Sequence, residues 1–271
     1  MIHLRTVTQV TATSRNRDTF PYNVPIIRSL ETLEFTTPIT FLVGDNGSGK
    51  STLLEAIAVA SNIPTVGSLE AEQDHTLKSI RDYANKGLKL AWSKKTRRGF
   101  FMRSEDFFGY IKRQAQIREE LHTELREMDD TFKGMSDYAR TMARMPYMRE
   151  IKALEEEYGG DLDAHSHGES YFTLFQARFI PDGLYLLDEP EAPLSPMRQL
   201  AMLNLLKEMV AHNAQFIIAT HSPILMAYPG ATILSFDGGS IRPIAYDQLE
   251  HVIITRDFLN NPAAYIHHLM G

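Results

Sequence analysis

The run Ile39-Thr40-Phe41-Leu42-Val43-Gly44-Asp45-Asn46-Gly47-Ser48-Gly49-Lys50-Ser51-Thr52-Leu53-Leu54-Glu55-Ala56-Ile57-Ala58 decides how this chain is read. Its first five residues are a short β-branched and apolar segment, Ile39–Val43. Its end carries Leu53, Leu54, Ile57 and Ala58 at helical spacing, and Pro64 closes the amphipathic helix that they predict. Between them, Gly44–Ser51 fits G-x-x-x-x-G-K-[ST] at every position, in the strand–turn–helix setting that motif requires. Glycines allow a loop whose backbone N–H groups turn inward on phosphate oxygens, and the helix start adds its partial positive charge. Lys50 is then placed to reach β- and γ-phosphates as a point charge, and the Ser51 hydroxyl to ligate Mg²⁺. Gly44, Asp45, Asn46, Gly47, Ser48, Gly49, Lys50, Ser51 and Thr52 form the expected nucleotide-binding set.

A second segment supports the first. Gly183-Leu184-Tyr185-Leu186-Leu187-Asp188-Glu189-Pro190 reads as an apolar strand ending in two acids. Strand C-termini of a parallel sheet line the ligand crevice. There Asp188 is expected in the Mg²⁺ shell and Glu189 as acceptor of a proton from attacking water. Gln215–Thr220 predicts another strand, and His221 follows it in Ala219-Thr220-His221-Ser222-Pro223, a polar donor at the same crevice. Ser166-His167-Gly168-Glu169-Ser170 precedes an apolar helical stretch (Tyr171, Phe172, Leu174, Phe175), and small residues at a helix start make a second anion-binding spot. One chain has no use for two such spots, which points to a site shared between subunits.

Composition sets the outer limits. With 271 residues, 43% hydrophobic and 23% charged, the chain suits one large α/β domain. A net charge of −6 excludes a polybasic nucleic-acid glue, so any contact to DNA needs a local patch. The absence of cysteine removes disulfide scaffolds, zinc ribbons, thiol nucleophiles and cysteine-ligated clusters. No signal-peptide core opens the chain and no apolar run reaches membrane-span length, so a cytoplasmic protein without direct membrane insertion is expected. Three blocks follow. Residues 1–66 hold β-branched runs (Thr6–Thr13, Ile39–Val43). Residues 68–163 gain charge and methionine and lose β-branched residues. Residues 164–271 return to strand–helix alternation, with strands at Leu184–Leu187, Gln215–Thr220 and Thr232–Phe236, a helix at Met197–Ala211 and a hairpin turn at Gly238-Gly239. In the middle block Ile117, Leu121, Leu125 and Met128 form a helical stripe. The expected plan is a single α/β domain over 1–271 with a helical subdomain inserted at 106–163.

The order of these parts, phosphate loop, helical insert, signature, carboxylate pair and histidine, resembles the ABC-type ATPases over about residues 38–236. Asn46–Ile57, Asp188–Ser195 and Ala219–Pro223 are most similar to the RecF/SMC/OLD branch. His165–Ser170 together with Thr255-Arg256-Asp257-Phe258-Leu259-Asn260 resembles small stand-alone bacterial ATPases of that branch. The resemblance implies a P-loop NTPase fold that binds MgATP, dimerises on it and hydrolyses it. Catalysis is then carried by Lys50, Glu189 and His221, the last as γ-phosphate sensor. It aligns Ser166, Gly168 and Glu169 with a signature that contacts nucleotide on the partner subunit, with His167 in place of a glycine. Ser195 stands where transporters usually carry aspartate, and the Q-loop glutamine has no match, with Arg103 or Glu105 the positional stand-ins. The implied output is DNA maintenance or defence through a separate effector protein, with DNA itself a candidate ligand. The alternatives are the ATP-binding subunit of a transporter that docks a permease, and a nucleotide-binding regulator without turnover.

Several weaker signals stay open. Lys94, Lys95, Arg97 and Arg98 before Gly99-Phe100-Phe101 suit either a phosphate-gripping patch or a solvated β-hairpin leading into a core strand. His165 and His167 alternate like a metal pair but have no third ligand nearby. Met128, Met135, Met142, Met145 and Met148 suit helix packing or a docking surface. Phe20 and Tyr22 are the candidates to stack on adenine. The insert of about 115 residues is too short for the sustained heptads of coiled-coil arms, and no nuclease-sized segment follows the ATPase motifs. What is expected is an ATPase engine whose effector is a separate protein.

Overall fold

A computed structural model describes residues 1–10, 18–66, 77–158 and 167–270. Along the chain, β1 (Leu4–Gln9) and the short helix α1 (Pro25–Ser29) precede β2 (Thr32–Glu34), β3 (Ile39–Val43) and α2 (Lys50–Ser61). Then come α3 (Lys78–Gly87), β4 (Leu88–Trp92), β5 (Gly99–Arg103), α4 (Ser104–Thr131), α5 (Asp137–Tyr158) and α6 (His167–Arg178). The last part alternates β6 (Leu184–Asp188), α7 (Pro196–Ala211), β7 (Gln215–Ala219), α8 (Pro223–Met226), β8 (Thr232–Ser235) and β9 (Arg242–Pro243), and ends on α9 (Glu250–Asn260) and α10 (Pro262–Met270).

The strands form an α/β core. A six-stranded sheet has the order β5-β6-β7-β3-β8-β9, parallel throughout except for the β8–β9 pair. Strands β3, β6 and β7 are buried at every residue, which is why they read as unbroken apolar runs rather than alternating ones. A second, antiparallel sheet has the order β2-β1-β4. Helix α2 packs against α3, against β4 of the antiparallel sheet and against β5, β6 and β7 of the parallel one. It therefore buries Leu53, Leu54, Ala56, Ile57, Ala58 and Val59, and the amphipathic helix expected from the sequence is covered nearly all round. One polar side chain ties the two sheets inside this core. Gln215 Oε1 accepts from the backbone N of His3 and of Leu4, both at 2.8 Å, and its Nε2 donates to Leu4 O at 2.9 Å. Those three bonds leave the buried amide largely satisfied.

The structure corrects three local expectations. The first strand, Leu4–Gln9, starts two residues before the run read at Thr6–Thr13, of which residues 11–13 lie outside the described residues. The methionine-rich middle block contains two strands: β4 joins the antiparallel sheet and β5 the parallel one. The basic segment between them is accordingly no hairpin but a crossing between sheets. Lys94 and Arg98 lie 3.8 and 4.0 Å from Asp182, and the Thr96 hydroxyl donates to Asp182 O at 2.9 Å. The turn at Gly238-Gly239 joins the antiparallel strands β8 and β9 as expected, β9 being two residues long.

The described residues divide into two compact units, Met1–Ser104 with Ile180–Gly271, and Glu105–Phe179. In the second unit Leu121 and Leu125 of α4 and Ile151 of α5 form a small core, with Ile117, Met128 and Tyr147 packed on it. The stripe read on α4 is thus its buried side. Of the methionines, Met135, Met142 and Met148 are exposed, and Met145 and Met148 line a 720 Å³ groove with His122, Thr141 and Arg144.

Candidate active site

Parallel register brings the C-terminal ends of five strands into one row. Leu42 lies opposite Ala219 and Val43 opposite Ser235, while Asp188 pairs with Ala219 on one side and Arg103 on the other. Everything that follows β3, β5, β6, β7 and β8 therefore emerges at the same edge. This is the crevice that parallel α/β sheets use for ligands.

The loop after β3 has its backbone in conformations that L side chains avoid. Gly44, Gly47 and Gly49 have φ of 144°, 79° and 103°. At Gly49, the N-cap of α2, a Cβ would also meet Val24 Cγ1 at 2.8 Å, so both torsion and space demand glycine. Lys50 is buried, and its Nζ donates to the carbonyls of Gly44 (2.6 Å) and Asp45 (2.9 Å). Burial pulls its ammonium below the ordinary lysine value, against the opposing charges of Asp188, Glu189, Asp237 and Asp45. The loop base is held by Asp237, at the end of β8, whose Oδ1 accepts from Asp45 N at 3.0 Å. Asn46, Gly47, Gly49, Lys50, Ser51 and Thr52 line a 410 Å³ pocket together with Glu189, Val24 and Phe20. Of the two aromatics expected near adenine, Phe20 is on this pocket wall, exposed. Tyr22 packs edge-on against Tyr83 in the core, their centroids 5.1 Å apart.

Asp188 is buried, and its Oδ1 has no hydrogen-bond partner. Burial pushes its carboxyl up to about 6, with Glu189 and Glu55 adding to the rise and the Ser51 hydroxyl bond and Lys50 opposing it. A buried, unsatisfied carboxylate oxygen beside a serine hydroxyl is what a hard divalent cation would satisfy, so Asp188 and Ser51 fit Mg²⁺. Among the described residues no group of three or more His, Asp or Glu could hold a metal alone. A cation here would complete its shell with phosphate oxygens and water.

Glu189 shows local backbone strain, with φ of 50° in the left-handed region at a cost of about 1–2 kcal/mol for an L residue. Two bonds hold it there: its N–H donates to Ala219 O at 2.9 Å, and the Ser104 hydroxyl donates to its carbonyl, also at 2.9 Å. The strained turn swings the half-exposed carboxylate into the pocket. His221 Nε2 lies 3.8 Å from Glu189 Oε1, and His221 N donates to Glu191 Oε1 at 2.7 Å. Burial raises the Glu191 carboxyl above the ordinary glutamate value, and bonds from Thr220 and His221 work against the rise.

Sequence reasoning missed three participants. Ser104 sits where β5 becomes α4, and a lone serine carries no motif. Glu191 lies within the quoted acidic stretch but shows its role only through its bond to His221. His251, in the first turn of α9, places its ring 6.4 Å from that of His221, and the Nε2 atoms of both rings are buried without a hydrogen-bond partner. Burial holds His251 below the ordinary histidine value, and the nearby His221 adds to that.

The remaining expected residues stand elsewhere. Arg103 is buried against Glu55 of α2 at 3.1 Å, an ion pair that locks β5 to α2 rather than one that enters the pocket. Glu105 is exposed in the first turn of α4. Ser195 caps α7, its hydroxyl accepting from Arg198 N at 3.4 Å. In the second unit, Gly168 and Glu169 fall in the first turn of α6, which begins at His167, while His165 and Ser166 lie outside the described residues.

Comparison with known proteins adds the following. A family model described as "AAA domain, putative AbiEii toxin, Type IV TA system" matches residues 65–227, and one described as "AAA domain" matches residues 23–62. Among solved structures, cbiO1 of Clostridium perfringens, part of an ABC transporter complex, is 14% identical with a TM-score of 0.49, covering 100% of this chain and 99% of that one. The Smc head domain of Pyrococcus furiosus, bound to the C-terminal domain of ScpA, is 13% identical with a TM-score of 0.47, covering 95% and 100%. An SMC head domain from Thermotoga maritima is 16% identical with a TM-score of 0.44, covering 90% and 100%. No curated protein matches the chain.

Proposed function

The chain belongs to the AAA-domain ATPases, and from that premise we propose that it binds MgATP at Gly44–Thr52, hydrolyses it, and pairs with a second copy on ATP to drive or gate a separate partner protein. The observation that carries this reading is the row of strand ends: Lys50, Ser51, the unsatisfied Asp188 and the strained Glu189 open on one crevice.

The bound triphosphate takes Lys50 Nζ from the two carbonyls that hold it, exchanging neutral acceptors for charged ones. Loop N–H groups and the start of α2 hold the β-phosphate. Ser51 and the unsatisfied Asp188 would hold Mg²⁺, which would supply charge neutralisation at the phosphates. Water attacks the γ-phosphorus in line, the bond to the ADP oxygen breaks, and Glu189 accepts the water proton. His221 hydrogen-bonds the γ-phosphate and reports its loss. Ser104 acts one step back, as the positioning group that keeps Glu189 in its left-handed turn.

The α6 start, with Ser166, Gly168 and Glu169, serves the nucleotide of the partner subunit in a head-to-tail dimer. The setting is cytoplasmic: the chain lacks cysteine, and among the described residues no helix is long and apolar enough to cross a membrane. The output is DNA maintenance or defence, in line with the resemblance to the RecF/SMC branch. A permease-docking subunit fits less well, because Arg103 is tied to Glu55 and Ser195 to the α7 cap, where a transporter would carry its Q-loop and D-loop residues. Titration calorimetry of Lys50→Ala with MgATP is the direct test. Loss of measurable binding is expected, and unchanged affinity would overturn the assignment of the loop.

A further inference from the structure

The C-terminal helices leave a large apolar surface in water. On α9, Ile253, Ile254, Phe258 and Leu259 are 40%, 49%, 38% and 68% exposed. On α10, Ile266, Leu269 and Met270 are 45%, 79% and 85% exposed. Within α9 only Val252 is buried, so the helix spends little of its apolar content on the core. Helices α9 and α10 contact each other, and Phe258 meets Tyr265 edge-on at 5.8 Å, which makes them one hairpin rather than two loose ends. The spacing is helical on both limbs: Ile254 and Phe258 are four apart, as are Ile266 and Met270, with Leu269 between turns. Together these seven residues expose roughly 700 Å², above the few hundred Å² of a typical largest monomer patch and near the ~800 Å² per partner of a stable interface.

Charge decides between occupants. Residues 258–271 contain no Asp, Glu, Lys or Arg. The nearest cation, Arg256, is held by Asp247 at 2.7 Å. Helices that lie on anionic membranes carry several Lys and Arg on their polar face, and this hairpin carries the single Arg256, already paired with Asp247. A strongly charged partner would likewise find no complement. An uncharged apolar face is best met by another of the same kind, which desolvates no charge and sets no like charges together.

We propose that the α9–α10 hairpin is a self-association surface that packs against the same hairpin of a second copy, in a two-fold contact independent of nucleotide. This contact stands apart from the ATP-dependent pairing proposed above, and the two fail separately in experiment.

The test is sedimentation velocity of the full chain without nucleotide, over a concentration series. Wild type and Lys50→Ala should both show a dimer. Leu259→Glu/Leu269→Glu should weaken it at least about 100-fold, since each contact then buries four unpaired carboxylates. Both residues are exposed, so the variant should keep the wild-type circular dichroism spectrum and melt as wild type does at concentrations where wild type is dissociated. Because the chain has no cysteine, Leu269→Cys labelled with pyrene provides an independent measure. Excimer emission without nucleotide, abolished by Leu259→Glu, is expected. A wild-type monomer at every concentration, a double variant that dimerises like wild type, or wild-type monomers that float with phosphatidylserine vesicles would each overturn the proposal.

Discussion

Asp188→Asn should stabilise the cation-free protein while impairing its chemistry. The carboxyl is 8% exposed, and burial moves it from 3.8 to about 6. Each unit is worth about 1.4 kcal/mol, so keeping this group ionised at pH 7.5 costs the fold about 3 kcal/mol. The sign follows from proton counts. Between pH 3.8 and 6 the folded state holds a proton that the unfolded state has lost, so stability falls as pH rises through that window and stays low above it. Asparagine keeps the shape, can still bond the Ser51 hydroxyl and carries no charge. Thermal unfolding in chelator at pH 7.5 should therefore show Asp188→Asn melting roughly 6–12 °C above wild type, at about 2–4 °C per kcal/mol for a chain of this size class. The gap should narrow at pH 5, where the wild-type carboxyl takes up its proton. Adding MgATP should raise the wild-type midpoint more than that of the variant. A variant that melts at or below wild type at pH 7.5, or a gap that ignores pH, would refute the reasoning.

Other expectations follow from the same geometry. Glu189→Gln should keep ATP binding, slow hydrolysis by about 10²–10⁴ and accumulate an ATP-bound dimer in light scattering; full turnover in this variant would remove Glu189 from its role as base. Ser104→Ala deletes the hydroxyl that holds the Glu189 carbonyl, so kcat should fall with KM for ATP little changed, and stability should drop by about 1 kcal/mol. An equal fall in affinity would place Ser104 in ATP binding instead. Gly168→Asp should spare monomer nucleotide binding and stop hydrolysis. Mixing it with excess Lys50→Ala should restore part of the activity through one intact composite site, and no recovery at any ratio would count against a shared site.

Much of the core was legible because its signals are local. A strand, a glycine-containing turn and a helix start stand within 20 residues at Ile39–Ala58, and an unbroken apolar strand ends at Asp188. The limits of local reading show at particular residues. β4 was hidden in a block read by composition, and Gly99-Phe100-Phe101, one reading of which was a core strand, does not declare which sheet it joins. The helix that follows the loop looked amphipathic, yet two sheets cover it. Arg103 seemed free to serve the nucleotide, but Glu55, one helical turn beyond Ser51, claims it.

The sequence by itself determined the strand–glycine loop–helix unit at Ile39–Ala58, the apolar strand that ends on Asp188 and the parallel α/β plan, because each rests on residue types at fixed short spacing. Only the tertiary structure decided that Ser104, Glu191 and His251 join Glu189 and His221. These residues come from four separate segments: parallel register brings the ends of β5, β6 and β7 to one edge, and α9 adds His251. It also decided that Phe20 rather than Tyr22 faces the pocket, and that the apolar residues of α9 and α10 remain in water. Burial belongs to the assembled chain: a leucine on an amphipathic helix reads the same whether it faces a core, a second copy or solvent.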